Sequence, residues 1–184
     1  MLNKLLKGKK LIMAISNCHV SDYDIVICVN RLTDYEKPTI LYTSTIRYKI
    51  ELKTIVCPYP VDAYDLKKKG FVNKVIQKLS QNHELILGNK KIYNKWARRY
   101  NTRLYTGVAT VLDLTRYDFK SLHISGMTFF KGCGDKERQR QAWNKCHDPE
   151  ANRLIMRELC TDKKIIPDKT LSELLKKDKV KWKN

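Results

Sequence analysis

His147 stands directly before Asp148, Pro149 and Glu150, at the entry of a segment whose apolar residues recur at helical spacing. A neutral imidazole whose proton affinity lies near the working pH can take the proton of an attacking hydroxyl as a general base. The same residue at such a junction also serves as a helix cap, and residue type alone leaves both readings open. His19, His83 and His123 are less well poised, His123 because it falls inside a strand-like run. Thr106-Gly107 opens an apolar stretch ending at Leu114. A hydroxyl and a glycine at a helix start leave backbone N–H groups near the positive end of the helix dipole. Phosphate or carboxylate binds there, and a glycine permits close approach; an ordinary N-cap has the same look. Asn17 and Asn30 each follow a strand-like run; their amides suit a ribose or a base edge, or they stabilise turns. Ser125-Gly126 ends another such run, and Phe129-Phe130 beyond it would stack on a base or join the core.

These groups need a scaffold, and the apolar runs provide one. Lys10–Ser16, Ile25–Val29, Thr39–Ser44, Lys53–Cys57, the weaker Glu84–Leu87, Ser121–Gly126 and the short Ile165-Ile166 read as strands. They show little alternation, which suits a parallel sheet covered on both faces. Helical spacing takes over at 61–79 (broken near Gly70), 90–100, 105–114, 149–159 and 171–177. Strands alternate with helices, so the expected fold is α/β: one domain over residues 1–184 with a doubly wound, mostly parallel sheet, and 131–146 as a loop or mobile lid. Ligands in such sheets bind beyond the strands' carboxyl ends, which singles out Ser16, Asn17, Asn30, Arg31, Ser44, Thr45 and Gly126.

A net charge of +18 attracts polyanions without saying which, nucleic acid and an anionic membrane surface among them. Lysines gather at 4–10, 67–69 and 176–183, where a solvated surface is the plain alternative; Trp96-Ala97-Arg98-Arg99-Tyr100 is the best local nucleic-acid candidate. The 6 cysteines show no C-x-x-C spacing, so no metal centre is expected. No apolar run reaches the ~18 residues of a membrane span and no secretory leader is read, so the expected compartment is the cytosol.

The order of these features resembles the sialyltransferases, animal and bacterial α/β types alike. Ile25-Val-Ile-Cys-Val-Asn30-Arg31 is similar to the family's strand that delivers an Asn. Tyr105-Thr106-Gly107-Val108 through Ile124-Ser125-Gly126-Met127-Thr128-Phe129-Phe130 resembles its later helix-and-strand motif. His147-Asp-Pro-Glu150-Ala-Asn152 with the helix to Leu159 resembles its final His motif. The resemblance runs over residues 10–159 and implies a Rossmann-like, GT-A-type fold. It implies inverting, metal-independent transfer of a sialic-acid-like sugar from a CMP-linked donor to a glycan hydroxyl. No cofactor is implied beyond that donor. By the same resemblance His147 is the general base, and Ser16, Asn17, Asn30, Thr106, Gly107, Ser125 and Gly126 hold the donor. Arg31, Glu150, Asn152, Phe129 and Phe130 support the site.

Three departures stand out: Ser16-Asn17-Cys18-His19 replaces the Gly-rich turn, Phe129-Phe130 lack a phenolic hydroxyl, and Asn152 stands where a Glu is usual. A nucleic-acid-binding protein and a non-catalytic relative that keeps the fold are the alternatives. The lysine-rich composition suits a large DNA virus or a bacterium.

Overall fold

The computed structural model describes residues 2–15, 18–30, 39–43, 54–57, 84–129 and 147–178. The expected helix over 61–79 and the loop over 131–146 lie outside them, as do Ser16, Asn17, Arg31 and Phe130.

The strands are β1 (Lys10–Ala14), β2 (Ile25–Val29), β3 (Thr39–Tyr42), β4 (Thr54–Cys57), β5 (Glu84–Leu87), β6 (Ser121–Ser125) and β7 (Ile165–Pro167). They form one seven-stranded sheet in the order β5-β4-β3-β2-β1-β6-β7, and every neighbouring pair is parallel. The helices are α1 (Leu2–Leu6), α2 (Lys90–Arg99), α3 (Thr106–Leu114), α4 (Pro149–Leu159) and α5 (Lys169–Lys176). The parallel α/β architecture expected from the unalternating runs is present.

Burial explains the missing alternation. Leu11 and Met13 of β1, Ile25 and Ile27 of β2 and Ile40 and Tyr42 of β3 enter one core with residues of all five helices. The intervening Ile12, Ala14, Val26, Cys28 and Leu41 enter a second cluster with Cys18, Val20 and Tyr23, from the β1–β2 connection. With both faces buried, selection for apolar side chains acts on every position instead of every second one. β6 does alternate: Leu122 and Ile124 are buried, whereas Ser121, His123 and Ser125 are half-buried.

From β1 the chain steps outward through β2 to β5, then returns to place β6 on the other side of β1. Right-handed crossovers put the connections of two such opposite runs on opposite faces. The residues fit: the β1–β2 connection lies on one face, and α2 through α5, which follow β5, lie on the other. The reversal falls between β1 and β6, where two connections leave in opposite directions and open a crevice at the strand tips.

α1 does not follow from the lysine-rich reading of residues 4–10; Leu2 and Leu6 are one helical turn apart and both buried. α5 starts at Lys169, ahead of the expected Leu171, because the Asp168 carboxylate accepts from the Leu171 N–H and caps it. Among the described residues no helix is long and apolar enough to cross a membrane.

Candidate functional site

α3 begins over the reversal of strand order. A Cβ placed on Gly107 would lie 2.7 Å from Met127 Cε and 3.5 Å from Ile15 Cδ1, so its first turn rests on the tips of β6 and β1. At the tip of β2, Asn30 has φ 57, the left-handed conformation that Asn tolerates better than most residues. Its Nδ2 donates to Thr106 Oγ1 at 3.0 Å, and Thr43 Oγ1, just past β3, donates to its Oδ1 at 3.4 Å. Thus the strand tips carrying Asn30 and Thr43 are joined to the opening residue of α3, which lies 76 positions further along the chain than Asn30.

The N-cap of α3 differs from the others. Asn89, Asp148 and Asp168 cap α2, α4 and α5 with side-chain oxygens, whereas Tyr105 makes no side-chain cap bond. Instead its ring lies flat against His147, with centroids 5.2 Å apart and planes 5° from parallel. His147 Nδ1 is 3.2 Å from the Arg103 carbonyl oxygen. A carbonyl only accepts, so Nδ1 carries the hydrogen and Nε2 of the neutral ring holds the basic lone pair. Burial pushes the imidazole's proton affinity below its ordinary value, with the Arg103 charge adding in the same direction and the carbonyl bond opposing both. The ring is therefore neutral near pH 7 and competent as a base.

Asn152 sets this geometry from behind. Fully buried, it accepts from the Tyr105 N–H at 2.7 Å and donates to the carbonyls of Arg103 (2.9 Å) and Asp148 (2.8 Å). Thr102 Oγ1 also accepts from the Asp148 N–H at 2.9 Å. Residues 102–105, which carry both the His147 acceptor and the start of α3, are thereby fastened to the first turn of α4.

The other expected site residues fall as follows. Gly107 gives close packing against Met127. Gly126, with φ 81, donates its N–H to Asp168 Oδ2 at 2.8 Å. The Ser125 carbonyl accepts from the Ile15 N–H at 3.0 Å, in the β1–β6 pairing. Phe129 is 5% exposed, so its ring belongs to the core and does not form an open stacking face. Glu150, expected to support His147, is bound elsewhere: it grips Arg153 through both oxygens, at 3.0 and 2.5 Å. A carboxylate saturated by a guanidinium is a poor proton acceptor.

Two buried polar groups escaped the sequence reading. Arg153, with no exposed surface, donates to the carbonyls of Leu174, Leu175, Lys177 and Asp178 and closes the carboxyl end of α5. Its only advance signal is the three-residue spacing to Glu150. Tyr42 of β3 donates to Asp113 Oδ2 of α3 at 3.1 Å, and Asp113 Oδ1 accepts from Arg116 at 2.6 Å. Burial, then the Asp113 charge, raises the Tyr42 phenol well above its ordinary value, so it stays a donor.

No family model, curated protein or solved structure matches this chain. Among the described residues no group of three His, Cys, Asp or Glu side chains is arranged to hold a metal ion.

Proposed function

We propose that this chain is an inverting glycosyltransferase that moves an acidic, sialic-acid-like sugar from a CMP-activated donor to a glycan hydroxyl. It would do so on a Rossmann-like, GT-A-type scaffold. The observation that carries the reading is the flat contact of His147 on Tyr105, the residue that opens α3. It sets a neutral imidazole against a helix start at the reversal of strand order. The order of motifs that resembles the sialyltransferases supports the choice of donor.

In this reading the donor phosphate lies at the start of α3, where the helix dipole favours negative charge. The Asn30–Thr106–Thr43 cluster borders the nucleotide. The acceptor hydroxyl oxygen attacks the anomeric carbon, and its proton passes to His147 Nε2. The bond from that carbon to the phosphate oxygen breaks, and CMP leaves with the electron pair. Nδ1–H, held by the Arg103 carbonyl, keeps the imidazole in the tautomer this step needs. Glu150 and Phe129 have no part in it, and Asn152 positions the loop without touching substrate.

A panel of CMP, UDP and GDP tests the donor class by thermal shift. Binding to the folded state raises the melting temperature by mass action, about 5 °C or more at a hundredfold excess over Kd. CMP should give the largest shift. Equal shifts, or none, would count against the reading.

A further inference from the structure

α2 is built against its own stability. Residues 88–112 contain Lys90, Lys91, Lys95, Arg98, Arg99 and Arg103 and no Asp or Glu. Two lysines occupy its first turn, where the helix dipole disfavours cations, and no acidic residue offsets them. Lys91, Lys95 and Arg98, all exposed, follow one another at four- and three-residue steps and so line one face, where like charges repel. Such a pattern opposes the helix unless something outside the chain neutralises it.

Beside that face lies a fixed aromatic platform. The rings of Trp96 and Tyr100 are 8° from parallel with centroids 6.1 Å apart. The Arg99 guanidinium lies 5.6 Å from the Trp96 centroid and 5.4 Å from that of Tyr100. Glu158 of α4 holds both ends, accepting from Arg99 at 2.7 Å and from the Tyr100 hydroxyl at 2.5 Å. Both rings are half-buried, so the platform costs little further ordering when something docks. Next to Tyr100 a groove of about 310 Å³ is lined by Leu154, Arg157, Glu158 and Thr161.

We propose that the basic face of α2 and the Trp96–Tyr100 platform bind single-stranded nucleic acid without strong sequence preference. The phosphates follow Lys91, Lys95 and Arg98, and a base stacks at the aromatic platform. A row of cations beside exposed π-faces and a stacked guanidinium is the combination single strands use, because every base offers a flat face and every linkage a charge. A bilayer surface would meet the cations but has no use for a groove beside stacked rings. This surface is separate from the start of α3 and does not depend on the sugar-transfer reading.

The test is fluorescence anisotropy of labelled oligouridine and oligothymidine over a salt series. The full-length chain is compared with Lys91→Gln/Lys95→Gln/Arg98→Gln, whose changes are all at exposed positions. The wild-type chain should bind both strands. The triple variant should bind at least about tenfold more weakly at low salt. Its slope of log K against log salt should be shallower by about 2, at about 0.7 per phosphate contact. Oligonucleotide should also quench tryptophan emission in the wild type and much less in Trp96→Phe. Unchanged affinity and slope in the triple variant would overturn the proposal. So would equal binding of a duplex, binding to anionic vesicles but not to oligonucleotide, or quenching that survives in Trp96→Phe. CMP release by the triple variant should equal that of the wild type, which keeps the two proposals separately testable.

Discussion

The imidazole of His147 and the phenol ring of Tyr105 lie within 5° of parallel, 5.2 Å between centroids, where α3 begins. The stack buries one face of a titratable ring, and burial is the main reason its proton affinity falls. As the base is the neutral form, the acid limb of kcat/KM should have its midpoint below the ordinary histidine value of about 6.5. A limb centred above that value would assign the titration to another group.

The same shift fixes how stability depends on pH. With its affinity lowered in the folded state, His147 binds fewer protons there than in the unfolded chain. Stability is complete above about pH 6.5 and is lost as pH falls from there through the folded value. His123, beside Tyr23, shifts the same way through burial and then the Lys10 charge. The melting temperature should therefore drop between about pH 7 and about pH 5.5, and His123→Phe/His147→Phe should flatten that drop. An equal drop in the double variant would refute the assignment.

Asn30→Gly separates the backbone from the amide. Glycine adopts φ 57 without strain, so stability should change by less than about 1 kcal/mol. The bonds to Thr106 and Thr43 are lost, and CMP affinity should fall about tenfold, as for a polar contact worth ~1.4 kcal/mol. Unchanged affinity by calorimetry would remove Asn30 from the nucleotide site.

Asn152→Ala strips the partner from the Tyr105 N–H and from two carbonyls in a fully buried place. A cost of about 2–3 kcal/mol is expected in urea unfolding. Arg153→Ala should cost more, about 3–5 kcal/mol, because Glu150 and the carbonyls at the end of α5 lose their donor together. If Arg153→Ala costs less than Asn152→Ala, the guanidinium is not the clasp its contacts describe.

The elements most legible in the sequence are those whose local signals agree. α4 follows from Asp148 as cap, Pro149 at the first turn and a helical apolar stripe, and its ends fall where those signals put them. β2 follows from five consecutive apolar residues. α1 was hidden because lysines surround Leu2 and Leu6, and two apolar residues make no visible stripe. Strand order was beyond reach, since period and propensity say nothing about which strand lies beside β1. At the site, Asn30, Thr106 and His147 were chosen by type and position, and the structure brings all three to the start of α3. The fates of Glu150 and Asn152 were not legible. Each depends on a partner set by tertiary packing: Arg153 bonded to α5, and residues 102–105 folded against α4.

The most direct measurement compares the wild type with His147→Phe, which keeps a flat ring against Tyr105 but has no base. CMP affinity and CMP release from CMP-sialic acid are followed in the same preparation. The wild type should bind CMP and release it from the donor with turnover. His147→Phe should bind CMP with unchanged Kd and release it about 10²–10⁴-fold more slowly. A variant that releases CMP at the wild-type rate, or a wild type that neither binds nor releases it, would contradict sugar transfer at this site.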